Sequence, residues 1–126
     1  MRTNGASGIG ALSFELENDL AEMPTLADHL EAFCAQHGIS PEVAALVNLA
    51  LEEIVTNIVA MGYADEGDHH IRVHLAHDGD SITARVEDDA EAFEPLGIHL
   101  VRTLMDEVTY SREQDQNVLL IRKATS

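Results

Sequence analysis

The chain has 126 residues, of which 45% are hydrophobic, and a formal net charge of −16. That length gives room for one domain with its own core, and the apolar content excludes a disordered chain. With 23 acidic residues against 7 Lys and Arg, the charge opposes nucleic acid and anionic membranes as partners and favours a basic or cation-bridged one.

In chain order, residues 1–10 (MRTNGASGIG) read as a flexible tail with no apolar core of a signal peptide, ahead of one domain over residues 11–124. No apolar run is expected to reach the length of a membrane span, so the expectation is a soluble, cytoplasmic protein. Leu12, Phe14 and Leu16 alternate with Ser13, Glu15 and Glu17 as a half-buried strand. Pro24 opens a helix with Leu26, Leu30 and Phe33 at helical spacing, and Gly38 closes it. Cys34 lies in that pattern and has no second cysteine to pair with, so it reads as a small core residue without chemistry. Ser40-Pro41 is an N-cap followed by a first-turn proline, which starts a second helix running to about Met61.

Ile71, Val73 and Leu75 then alternate with Arg72, His74 and Ala76; Asp78-Gly79 makes a tight turn; and Ile82, Ala84 and Val86 alternate with Thr83, Arg85 and Glu87. This spacing predicts a hairpin. Residues 97–105 read as a third helix, and residues 108–112 and 118–122 as a closing strand pair around 114–116. The order of strand, two helices, two strands, helix, two strands points to a two-layer α/β sandwich, with helices covering one face of a mixed, largely antiparallel sheet.

The second helix carries the sharpest chemical signal. Leu46, Ala50, Glu53 and Asn57 follow one stripe, so a carboxylate and a carboxamide continue an apolar face. Polar groups there are costly unless they are used. Such a pair suits a base that takes a proton or orients water beside an amide oxygen that ligates Mg2+; the plain alternative is a surface i,i+4 pair. Strand alternation supplies a third group: if Ile82, Ala84 and Val86 face the helices, Asp88 does too, while Asp89 does not. His69, His70, His74 and His77 raise the idea of a metal site, but His70 and His74 fall on the outward strand face and His77 on the other, which reads as a solvated face. His99 reads as a packing residue.

Three segments carry a resemblance: Glu53-Ile54-Val55-Thr56-Asn57, the run from Val86 to Pro95, and Gly97-Ile98-His99-Leu100-Val101-Arg102-Thr103-Leu104-Met105-Asp106-Glu107-Val108. Together with the Tyr110 strand and the Asn117-Val118-Leu119 strand, they resemble the anti-sigma-factor serine kinases, a branch of the GHKL (histidine-kinase-like) ATPases, from about Leu12 to Lys123. The resemblance implies a general base at Glu53, an Mg2+ ligand at Asn57, and an adenine-binding aspartate at Asp88. It places Ala90 where the family usually has a nucleotide-side glycine, and Gly97 at the last glycine of the phosphate-binding loop. ATP and Mg2+ are the implied cofactors. A sigma factor and a STAS-type anti-anti-sigma antagonist are the implied partners; dimerisation is left open, and direct contact with nucleic acid or membrane is not implied.

Two further departures stand in the sequence. Met61 replaces a histidine common after the asparagine motif, and Pro95 is followed at once by Leu96-Gly97, without the family's long glycine-containing lid. The readings are therefore a partner-switching kinase whose lid is missing from this chain, or a lidless binding module with weak or no phosphoryl transfer. A third is a domain that regulates a phosphatase.

Overall fold

The computed structural model describes residues 9–61, 69–89 and 99–125. Its elements are β1 (Ile9–Glu17), a short 3-10 turn (Leu20–Glu22), α1 (Met23–Gln36), α2 (Pro41–Met61), β2 (His70–Asp78), β3 (Ser81–Asp88), α3 (His99–Leu104), β4 (Glu107–Glu113) and β5 (Gln116–Ala124). The strand β1 takes in Ile9 and Gly10, the last two residues of the stretch read as tail.

Local chemistry sets the boundaries. The Asp19 carboxylate accepts from the Ala21 N–H at 2.9 Å to cap the 3-10 turn, and the Ser40 hydroxyl accepts from the Val43 N–H at 3.3 Å to cap α2. Gly38 has a φ of +69°, the left-handed conformation that ends a helix without a Cβ clash. Gly79 turns the β2–β3 hairpin with a φ of +99°. Beside it one oxygen of Asp78 accepts the N–H groups of Asp80 and Ser81, both at 2.8 Å, and these backbone donors hold the Asp78 carboxyl below its usual range.

The strands form one sheet in the order β1-β2-β3-β5-β4, and all four ladders are antiparallel. The parallel component expected of a mixed sheet is thus absent among the described strands. The chain reaches the edge strand β4 before β5, and β5 turns back to pair with β3 through a two-residue loop at Gln114 and Asp115, both at positive φ.

The inward residues Leu16, Ile71, Val73, Leu75, Ile82, Ala84, Val86, Leu119 and Ile121 meet Leu26, Leu30 and Phe33 of α1, Val47, Leu51, Ile54, Val55 and Ile58 of α2, and Val101 of α3 in one buried cluster. Each fully buried Leu or Ile contributes about 1.5–3 kcal/mol of hydrophobic stabilisation, which makes this layer the main source of stability. Over Pro41–Ala60, α2 has a mean hydropathy of 1.6 and is, by length and composition, long and apolar enough to cross a membrane. The expectation that no run reaches that length overlooked it, because Glu52 and Glu53 interrupt the apolar run while leaving its average high. In the fold, the apolar stripe of this helix packs on the sheet.

Candidate nucleotide site

Alternation along β3 places Asp88 on the inward face at the strand's end, where it is 1% exposed. Its neighbour Glu87 points the other way. In the sheet register Asp88 stands opposite Asn117 of β5, and Asn117 stands opposite Arg112 of β4. One row of side chains therefore runs across three strands.

That row is hydrogen-bonded in a fixed sense. Asn117 Nδ2 donates to Asp88 Oδ1 at 2.9 Å. Asn117 Oδ1 accepts from Arg112 Nη1 at 2.9 Å and from the Tyr110 hydroxyl. Two donors aimed at one atom of the amide identify that atom as the oxygen, so its NH2 group must face the carboxylate. A buried carboxylate is tolerated only with hydrogen-bonding partners, and here the amide N–H orients Asp88 Oδ1 as an acceptor.

Sequence reasoning missed Asn117, Tyr110 and Arg112 as members of this arrangement. The signal was present: Asn117 precedes Leu119 and Ile121 on the inward face of β5 and breaks that apolar face as Asp88 breaks that of β3. The alternation rule that singled out Asp88 selects Asn117 as well.

From the helical layer, α2 brings Glu53 and Asn57, both half-buried. Their sequence neighbours Ile54 and Ile58 belong to the same buried cluster as Val86 and Leu119. Ala90, Gly97 and the Pro95–Leu96 junction lie outside the described residues, as does the side chain of Met61.

Residues 16–123 match a family described as the histidine kinase-like ATPase domain. The chain belongs to the histidine kinase-like ATPase domain family. The crystal structure of the RsbU and RsbW domains of Rv1364c from Mycobacterium tuberculosis shares its fold, with a TM-score of 0.74 at 22% identity. That match covers 90% of this chain and 31% of the other, so the chain spans about a third of that structure's length. No curated protein matches this chain.

The remaining candidate groups divide cleanly. His74 bonds Ser13 Oγ through Nδ1 at 2.7 Å and Glu87 through Nε2 at 3.2 Å on the open face of the sheet, whereas His77 is buried against Thr125 Oγ1 at 3.1 Å. His69 pairs with Asp89 at 3.1 Å. Among the described residues no three His, Cys, Asp or Glu side chains are placed to hold a metal ion together. His99 is exposed on α3, so the packing role expected of it is corrected: Val101, two residues on, takes the inward position of this short helix. Burial pushes the Cys34 thiol up to about 11, which keeps it protonated and unreactive at neutral pH.

Proposed function

We propose that this domain binds ATP with Mg2+ and acts as a partner-switching serine/threonine kinase that sequesters a sigma factor and phosphorylates a STAS-type antagonist. The observation that carries the reading is the Asp88–Asn117–Arg112 row: a buried carboxyl group whose Oδ1 is held by the Asn117 amide, suited to receive the N–H of an adenine amino group. The family match and the placement of α2 support the remaining roles.

In this reading Glu53 accepts the proton of the substrate hydroxyl as that oxygen bonds to the terminal phosphorus of ATP and the bond to ADP breaks. Mg2+ would offset the phosphate charge, and Asn57 would offer it one hard oxygen ligand. The few cations in the chain fit this division of labour, since a metal supplies what Lys and Arg do not.

The test is Glu53→Gln, assayed for transfer of labelled terminal phosphate to a serine-bearing antagonist and, by calorimetry, for ATP binding. Transfer should fall at least a thousandfold while the dissociation constant changes less than threefold, because the base acts in the chemical step and the amide preserves shape. Equal loss of both, with the fold retained, removes Glu53 from the role of base.

One observation favours a second reading, a lidless module acting through protein contacts alone: Pro95 runs straight into Leu96-Gly97. A chain without enclosure over the terminal phosphate should prefer ADP to ATP, and restoring a glycine-containing segment between Pro95 and Leu96 should raise ATP affinity and transfer. Robust transfer by the unaltered chain excludes this reading.

A further inference from the structure

The two long helices carry no Lys or Arg. No Lys or Arg occurs between Arg2 and Arg72, a span that includes the whole of α1 and α2. The arginines of the described sheet lie on β2 to β5, several of them paired on its open face: Arg72 and Arg85 with Glu87, and Arg122 with Glu107. The solvent side of α1 and α2 instead presents Asp28, Glu31 and Glu42 with no Lys or Arg on either helix, the layer's one described arginine being Arg102 of α3. Exposed acids alone would be an ordinary solvated face.

This face also has a groove. Between α1 and α2 lies a depression of about 500 Å³, its walls formed by Ala27 and Ala35 of α1, Ile39 of the connecting turn and Ala45 of α2. Glu31 stands in it from the α1 side and Asn48 from the α2 side. The Nδ2 of Asn48 reaches Glu52 at 3.4 Å, but its Oδ1 is shielded from solvent and has no hydrogen-bond partner among the described residues. A buried acceptor without a partner is uncommon. One turn beyond Ala45 on α2, Leu49 is 44% exposed and extends the apolar strip.

We propose that the α1–α2 groove docks an amphipathic, basic helix of a protein partner, its apolar face against the alanines and Leu49 and its Lys or Arg side chains reaching Glu31. A groove between two helices accepts the ridge of a third, and these helices offer no free strand edge. Charge decides the sign of the partner, since an acidic helix or nucleic acid would meet uncompensated carboxylates. A second copy docked helix face to helix face would oppose acid with acid. The inference does not rest on phosphoryl transfer, because neither Glu53 nor Asp88 lines the groove.

The test uses a designed peptide of roughly 18 residues, about 27 Å as a helix, with Leu on one face and Lys on the other, and a Leu/Glu peptide of the same pattern as control. Titration of the full chain, followed by 1H–15N NMR and fluorescence anisotropy, should shift the amides of Ala27, Ala35 and Ala45. Ala45→Trp, filling the groove at an exposed position, should weaken the Leu/Lys peptide at least tenfold with melting temperature and ATP affinity unchanged. Glu31→Lys should weaken it at least fivefold, whereas Glu15→Lys, the same charge change on the open sheet face, should alter it less than twofold. The proposal is overturned by equal effects of the two Glu→Lys variants, by shifts confined to the sheet, by equal binding of the Leu/Glu peptide, by peptide-free dimerisation through these residues, or by no binding at all. Loss of ATP binding in an Asp88 variant with peptide binding intact would separate this surface from the nucleotide reading.

Discussion

Glu87 and Asp88 are consecutive carboxylates on one strand, and the two sides of the sheet treat them in opposite ways. On the open face Glu87 accepts from Arg72 at 3.1 Å, from Arg85 at 2.6 Å and from His74 at 3.2 Å. On the inward face Asp88 accepts from the neutral amide of Asn117. Burial alone would raise the pKa of Glu87, but the donors from Arg85, Arg72 and His74 outweigh it and bring it down to about 2. A carboxylate shared by two guanidinium groups ties strands together, whereas Asp88 is oriented by the amide N–H of Asn117.

The largest effect expected from breaking the contrast is that of Asn117→Ala. It removes the group that orients Asp88 and leaves Arg112 and Tyr110 without their shared acceptor. Roughly 2–4 kcal/mol of stability should be lost in denaturant titration, together with nearly all nucleotide affinity. Asn117→Asp instead puts a second acid against Asp88, and its ATP affinity should fall comparably with a steeper loss toward high pH. Affinity close to that of the unaltered chain in both variants would show that Asp88 is no ligand group.

Asp88→Asn sharpens the comparison because the amide can turn its oxygen toward Asn117 while losing the charge. ATP binding should weaken by about 10- to 100-fold, the value of one hydrogen bond to a charged group, with little change in melting temperature. Calorimetric titration measures the first and thermal unfolding the second; unchanged affinity would take Asp88 out of the site.

Glu87→Gln should do the reverse. Loss of the charged acceptor shared by Arg72, Arg85 and His74 is expected to cost about 1–3 kcal/mol while ATP affinity stays within twofold. A fall in affinity without a fall in stability would mean that the two faces are not independent.

The smallest predicted effect is a pH dependence with the same origin. Because the folded-state pKa of Glu87 lies near 2 and its ordinary value is 4.5, the unfolded chain binds more protons between those limits. Its contribution is complete above about pH 4.5 and should fade as pH drops toward 2. Urea midpoints measured across that window should fall less steeply in Glu87→Gln than in the unaltered chain; parallel curves would assign acid sensitivity to other carboxylates.

Much of the architecture was legible in local pattern. Alternation in β2 and β3, the Ser40-Pro41 start of α2 and the Gly38 stop of α1 reflect backbone geometry that each segment fixes by itself. The same logic correctly turned Asp88 inward and placed Glu53 and Asn57 on one stripe of α2. It failed for His99, because six helical residues offer too little periodicity to tell an inward position from an outward one.

By itself, then, the sequence determined which side of each strand or long helix a residue occupies, since side-chain direction follows from two torsion angles per residue. It did not determine which strands are neighbours. Asp88 and Asn117 are 29 residues apart, and only the return of β5 between β3 and β4 makes them partners and brings Arg112 into the same row. Strand order reflects how the whole apolar surface is buried at once, a global balance of hydrophobic burial and loop closure that no single segment encodes. The α1–α2 groove has the same origin: the alanines are plain in the sequence, but the depression between them exists only where two helices pack side by side on the sheet.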